Sequence, residues 1–150
     1  MTRLMLFLHL LGFTMWLGGG LGQMIMGIAA NREDRAALAA VVRSQWAVQR
    51  LLIVPGALLT VFTGLILTFR SINFYSGGNS WLKQMQGLGI LAALLTIFIS
   101  LPTMSRLARL EPTGATAPYF DELRHRQRIV ASISGAMGLV ALFAGAALRA

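Results

Sequence analysis

The sequence has no cysteine, and only 5 of its 150 residues are Asp or Glu. Without cysteine the chain cannot form disulfides, thiolate zinc sites, iron–sulfur clusters or a covalent c-type haem attachment. Charged residues amount to 12%, about half of their share in an average soluble domain. The hydrophobic share is 56%. This composition excludes a disordered chain and argues against a soluble globular domain.

Four stretches contain no Asp, Glu, Lys or Arg, and each is about as long as a membrane-spanning helix needs to be. They are Leu4–Asn31, Leu51–Phe69, Gln84–Ser105 and Ile129–Leu148. Because lipid cannot satisfy backbone polar groups, each stretch is predicted to be a helix. The sequence thus predicts an all-α integral membrane protein, a four-helix antiparallel bundle. It forms a single transmembrane domain over residues 1–150, with spans at about 4–30, 47–69, 82–105 and 127–148.

The basic residues are distributed unevenly between the connections. Nine of the 13 Lys and Arg lie in two connections: the one between the first and second charge-free stretches, and the one between the third and fourth. The positive-inside rule predicts that both connections are cytoplasmic and both termini outside. The net charge of +8 would suggest nucleic acid in a soluble protein. Here it indicates orientation and contact with the lipid bilayer, and no nucleic-acid partner is expected. The chain is predicted to be a multi-pass protein of a bacterial inner membrane.

Two local patterns refine the second span. Asn31-Arg32-Glu33-Asp34 is typical of a helix start, so a helix is expected to run from Arg35 through Arg50 into the span. Within the span, Pro55 predicts a kink because proline lacks the N–H that an α-helix needs.

The first span carries polar and small residues on one helical face. They recur at steps of three or four: His9, Gly12, Trp16, Gly19, Gln23 and Gly27. His9 is the only ionisable residue between Leu4 and Ala30, and an ionisable group inside a membrane is by default a functional-site hypothesis. The alternative is a neutral histidine bonded to a neighbouring helix. The glycines permit either close helix packing, as in Gly18-x-x-x-Gly22, or a flat slot for a planar ligand.

Two kinds of metal site are consistent with His9. As an axial ligand to haem iron, it would be accompanied by Gly12, Trp16 and Gly19 along the macrocycle, with Arg70 and Lys83 pairing with the propionates. As a copper ligand, it would be joined by Met5 and Met85, since thioethers and imidazole suit Cu(I). His125 lies near the opposite membrane surface and cannot share one haem with His9.

Several motifs resemble a known superfamily of small four-helix membrane proteins, which includes the HemJ-type protoporphyrinogen oxidases and the CopD-like copper proteins. The matching positions are His9, Trp16 and Gly19 in span one, Arg50-Leu51, Pro55 and Gly64 in span two, Trp81 and Lys83 in span three, and Arg106 to Pro112 after it. The Tyr-Leu-Pro-Arg stretch of the oxidases is replaced by Leu21-Gly22-Gln23-Met24. The chain therefore resembles a relative of the oxidases. The resemblance implies a haem or porphyrin site around His9, with Lys83 as a second functional residue.

The leading functional hypothesis is a protein that binds haem b or a porphyrin near the outer leaflet and exchanges electrons with quinone or a membrane redox partner. Two alternatives remain open. One is a copper uptake or tolerance protein. The other is a cofactor-free accessory or assembly subunit, held in a homo-oligomer or larger complex by its glycine and alanine faces. The sequence contains no enzyme motif that would specify a reaction.

Overall fold

The computed structural model describes residues 2–70 and 80–147. Within these ranges the chain forms four long helices and no strand. Each helix is long and apolar enough to cross a membrane: Thr2–Arg32, Arg35–Phe69, Ser80–Leu107 and Gly114–Ala147. The all-α, four-span membrane fold predicted from the sequence is confirmed. Residue 148, the end of the fourth predicted span, lies outside the described residues.

All four of these helices are interrupted or extended by turns of different pitch. The elements in chain order are α1 (Thr2–Ala29) with a 3-10 turn (Ala30–Arg32), α2 (Arg35–Val48), a π turn (Gln49–Ile53), α3 (Val54–Phe69), α4 (Ser80–Leu94), a second π turn (Leu95–Ser100), α5 (Leu101–Leu107), a 3-10 turn (Gly114–Thr116) and α6 (Ala117–Ala147). Since no residue separates α2 from α3 or α4 from α5 except the π turns, each pair forms one continuous helix.

The predicted helix start before Arg35 is confirmed. Asp34 is the N-cap of α2, and its carboxylate accepts a hydrogen bond of 2.7 Å from the backbone N–H of Ala37. This bond satisfies one of the amides that a helix start leaves free. The chain therefore reverses tightly between α1 and α2.

Each π turn ends two residues before a proline. Pro55 follows the first residue of α3, and Pro102 follows the first residue of α5. Proline lacks a backbone N–H and its ring clashes with the carbonyl four residues back. A π turn, which hydrogen-bonds five residues back, absorbs this mismatch without breaking the helix. The predicted interruption at Pro55 thus takes the form of a π turn, and Pro102 has a counterpart that the sequence analysis did not anticipate.

The burial pattern is the reverse of that in a soluble protein. Large apolar side chains such as Phe7, Phe62, Phe98 and Phe143 are exposed around the bundle. Buried positions include many polar residues, namely Gln23, Gln49, Thr60, Thr63, Thr68, Thr96, Ser100, Thr103, Gln127 and Ser134. Several of the threonines bond the carbonyl four residues back, which satisfies their hydroxyls within the helix. An apolar exterior around a hydrogen-bonded interior is suited to lipid, and the chain is an integral membrane protein.

The helices pack as two tight pairs, α1 with α3 and α4 with α6, whereas α1 and α6 touch over a much shorter length. Glycine permits the close approach of α1 to α3. A Cβ on Gly12 would lie 2.8 Å from the backbone oxygen of Gly56, and a Cβ on Gly56 would lie 2.7 Å from the oxygen of Gly12. Close packing of the pairs leaves the space between α1 and α6 open.

A small apolar core closes the end of the bundle that is predicted to be cytoplasmic. It consists of Ala30, Leu38, Val42, Met104, Leu107, Phe120 and Leu123. At its edge, Arg35 forms a bidentate ion pair with Asp121, at 2.8 and 3.0 Å. This core joins α2, α5 and α6 at this end of the bundle. It fixes the positions of the helix ends around the site described next.

Candidate functional site

A chain of buried polar side chains crosses the bundle, and each of the four long helices contributes one member: Gln23, Gln49, Ser100 and Gln127. The Nε2 of Gln23 donates to Oε1 of Gln49 at 3.1 Å. The Nε2 of Gln49 and the Nε2 of Gln127 both donate to Oγ of Ser100, at 3.3 and 2.6 Å. We call these four residues the polar chain. In a membrane interior such groups are retained only when they have partners, so their convergence marks a defined site.

The two π turns supply the middle of the polar chain. Gln49 is the first residue of one turn, and Ser100 is the last residue of the other. Since a π turn holds one more residue than an α turn, it shifts the face on which the following side chains lie. The prolines that follow these turns therefore have a structural consequence: they help to set the register at which the polar residues of the second and third helices meet.

One atom of the polar chain has no partner. Gln127 is 7% exposed, and its Oε1 is buried without a hydrogen bond in the part of the chain that the structure describes. Exchanging the amide oxygen and nitrogen would pair the oxygen with Ser100 and leave the nitrogen unpartnered, so either orientation has one unsatisfied atom. Leaving such an atom unpaired costs about 1–3 kcal/mol. The polar chain is therefore incomplete at Gln127.

Gln127 lies on the wall of a cleft between α1 and α6, with a volume of about 590 Å³. This is the usual size of a small-molecule site, about 300–1,000 Å³. The polar chain, Thr96 and Ser134 lie along it, and the other wall residues include Phe13, Trp16, Leu17, Gly20, Leu21, Met24, Gly27, Ile53, Met104, Gly135, Gly138 and Leu139. The cleft thus combines apolar walls with a few converging hydrogen-bonding groups, and it reaches the lipid-facing surface between two loosely packed helices.

Two arginines and an asparagine stand at the predicted cytoplasmic end of the cleft. Arg124 and Arg128 both donate to Oδ1 of Asn31, at 3.0 and 2.5 Å, and Arg124 also donates to the backbone oxygen of Gly27 at 3.3 Å. All four residues line the cleft. We call Asn31, Arg124 and Arg128 the basic mouth.

His9 lies elsewhere, in the seam between α1 and α3. Its Nδ1 donates to the backbone oxygen of Thr60 at 2.8 Å and lies 3.3 Å from Oγ1 of Thr63. Because a carbonyl only accepts, the proton is on Nδ1, which leaves Nε2 with a free lone pair. The ring packs over Gly64, where an added Cβ would lie 2.9 Å from the ring carbon Cε1. His9 is not among the residues that line the cleft.

The other residues predicted around His9 fall into separate places. Gly12 faces α3, where an added Cβ would meet the backbone of Gly56, and Gly19 faces the π turn before α3, where an added Cβ would meet the side chain of Ile53. Trp16 is buried and reaches the cleft wall. Arg70, which ends α3, and Lys83, on α4, are exposed near the end of the bundle that lies away from the basic mouth.

Two of the predicted copper ligands, His9 and Met85, occupy different seams. Met85 is directed at α6, because a Cβ on Gly145 would lie 3.0 Å from its sulfur. Met5 is half-buried on α1, the helix of His9. The described residues contain no cluster of three His, Asp or Glu side chains.

Sequence reasoning did not identify the polar chain as a site. It placed Gln23 on the polar face of span one, but Gln49 and Gln127 stand beside arginines just outside the charge-free stretches. Both glutamines therefore resemble the solvated residues that flank a membrane span. A glutamine and a serine, each a few residues before a proline in one of the two middle helices, are the signal that could have found the site.

Comparison with known proteins gives one result. A family model described as "Predicted integral membrane protein (DUF2269)" matches residues 3–149. No curated protein and no solved structure matches the chain. The resemblance to HemJ-type oxidases and CopD-like proteins is a more specific assignment than this family match, and it stays a prediction.

Proposed function

We propose that this chain, which belongs to the DUF2269 family of predicted integral membrane proteins, binds a small amphiphilic molecule of the membrane in the cleft between α1 and α6. The observation that carries the proposal is the buried, unpartnered Oε1 of Gln127, a residue that lines that cleft. A ligand with a hydrogen-bonding head and a hydrocarbon tail would complete the polar chain and cover the apolar wall.

The packing of the bundle supports entry from the lipid. The α1–α6 contact is short compared with α1–α3 and α4–α6, so the cleft lies along a loosely packed seam between two helices. Gly20 and Gly135 line it, and an added Cβ at either position would meet no atom within 4 Å. Small residues on both walls keep the seam open without being needed for packing inside this chain.

The test is to purify the protein in mild detergent and measure co-purifying small molecules by native mass spectrometry. We expect bound amphiphile in the wild type and a loss of about tenfold or more in Gly20→Phe, which fills the cleft. Gly18→Phe is the matched control, because Gly18 is also free of contacts within 4 Å but does not line the cleft. Equal retention by both variants would refute the proposal.

Gln127→Leu separates binding from stability. Since leucine removes the unpaired oxygen along with one hydrogen bond, we expect little change in the free energy of unfolding. Ligand retention should fall about tenfold, which corresponds to one lost hydrogen bond of about 1.4 kcal/mol. Gln86→Leu, which removes a hydrogen bond to Thr68 outside the cleft, should leave retention unchanged.

A second candidate function rests on a specific observation at His9. A metal-ligating histidine commonly donates its other ring nitrogen to a carbonyl, which fixes the tautomer and the ring. The bond from Nδ1 to Thr60 has this form. His9 could thus hold haem b or a porphyrin, with Arg70 and Lys83 available to the propionates. Bound haem would supply one-electron transfer with quinone or a membrane redox partner.

Absorbance of protein expressed with added haem tests this candidate. A Soret band that disappears in His9→Ala and persists in His125→Ala, an exposed histidine on α6, would support it. Absence of the band, or a band unaffected by His9→Ala, would exclude it. Copper bound in a His9- and Met5-dependent way, measured by metal analysis, would favour the copper alternative.

A further inference from the structure

The two arginines of the basic mouth have little to neutralise them. Among the described residues the only ion pair joins Arg35 to Asp121. Arg124 and Arg128 instead share a single neutral acceptor, Oδ1 of Asn31. A guanidinium has five N–H donors, so both retain donors beyond these bonds. Two positive charges thus stand together at the cleft. Neither has a carboxylate within ion-pair distance, and Asp121, which is paired with Arg35, interacts with Arg124 only at longer range.

These two charges lie within one helical turn of Gln127, whose amide oxygen has no partner. Arg124, Gln127 and Arg128 are related by steps of three and four, which places them on one face of α6. All three line the cleft. Both guanidiniums could therefore donate to one bound head group, while the Gln127 amide either accepts from a hydroxyl of that head or, in its exchanged orientation, donates to it.

The cleft has the length of one membrane leaflet. Its lining on α6 runs from Arg124 and Arg128 to Leu139. From Arg128 to Leu139 the rise is about 16 Å at 1.5 Å per residue. Half of the hydrocarbon core is about 15 Å. A molecule with its charged head at the basic mouth would extend its tail to about the middle of the bilayer.

We propose that the ligand is an anionic phospholipid of the cytoplasmic leaflet. Its phosphate lies between Arg124 and Arg128, and one acyl chain follows the glycine-lined wall towards Trp16. This inference rests on the amphiphile-binding function proposed above. Phosphate is favoured over a neutral quinone head because arginine binds phosphate through paired, charge-assisted hydrogen bonds, and a neutral head would leave both charges uncompensated.

The test compares two lipids with identical acyl chains, dimyristoyl phosphatidylglycerol and dimyristoyl phosphatidylcholine. Each is titrated into delipidated full-length protein, and binding is measured by native mass spectrometry. We expect the wild type to bind phosphatidylglycerol at least tenfold more tightly. The double variant Arg124→Gln/Arg128→Gln should lose this preference and bind phosphatidylcholine as the wild type does.

Two further variants complete the design. Arg126→Gln removes one charge from the same helix at an exposed position that does not line the cleft, and it should keep the preference. Arg124→Lys/Arg128→Lys keeps the charge and should retain part of the preference, which guards against a double variant that fails to fold.

The outcomes separate this inference from the function on which it rests. Equal binding of the two lipids by the wild type, or an equal loss in Arg126→Gln, would overturn the anionic-lipid assignment. Binding of a neutral quinone that Gly20→Phe abolishes and the arginine variants leave unchanged would also overturn it, while amphiphile binding would stand. If Gly20→Phe changes the binding of no lipid, amphiphile binding itself fails.

Discussion

Replacing Gly12 by valine is expected to lower the free energy of unfolding by about 3 kcal/mol or more, the upper end of the usual cost of overpacking. The first added carbon would lie 2.8 Å from Gly56 O, Thr60 N and Thr60 Oγ1. Two of these are backbone atoms of α3, which cannot rotate away. The helices must separate, and the Nδ1 bond from His9 to Thr60 in the same seam is strained with them.

The matched control is Gly18→Val. It makes the same change on the same helix at a position where an added Cβ meets no atom within 4 Å. Unfolding in a titration with denaturing detergent, followed by circular dichroism, measures both variants. Gly18→Val should remain within about 0.5 kcal/mol of the wild type. Equal destabilisation of the two variants would show that α1 does not pack on α3 through Gly12.

Replacing Gln49 by leucine is the second large effect that we expect. Gln49 is 1% exposed and is the central link of the polar chain, since it accepts from Gln23 and donates to Ser100. Removing it leaves buried groups on two other helices with fewer partners. The free energy of unfolding should fall by about 2 kcal/mol, within the range for breaking a buried hydrogen bond.

A double-mutant cycle distinguishes loss of the polar chain from loss of packing. Gln49→Leu and Ser100→Ala should be non-additive by about 0.5 kcal/mol or more, because each removes part of one network. Gln84→Leu, an exposed glutamine on α4, is the control and should combine additively with Ser100→Ala. Additive behaviour of Gln49 with Ser100 would contradict the hydrogen-bonded chain.

The overall architecture could be predicted because it depends on features that are local in sequence. Charge-free stretches of sufficient length specify helices in lipid, and Asp34 specifies a helix start by capping the next turn. Pro55 likewise predicted an interruption. The form of that interruption could not be predicted. Whether a proline causes a kink or a π turn depends on how the helix packs against its neighbours.

The site was less predictable because it depends on which faces meet. On one stripe of span one, Gly12 packs against α3 and Gly19 against the π turn before it, whereas Gln23 and Gly27 reach the cleft. Helical periodicity groups these residues together and cannot separate a face shared by two neighbours. Gly18 and Gly22 form a pattern typical of helix association. An added Cβ at either would meet no atom within 4 Å, so this pattern packs no pair of helices among residues 2–70 and 80–147.

The most direct test of the account is an experimental density map of the protein in a lipid nanodisc. We predict elongated density in the cleft between Gly20 and Gly135, with its head between Arg124 and Arg128 and within hydrogen-bonding distance of the Gln127 amide. A map in which α6 packs directly on α1, the cleft is closed and both atoms of the Gln127 amide bond to protein would contradict the account.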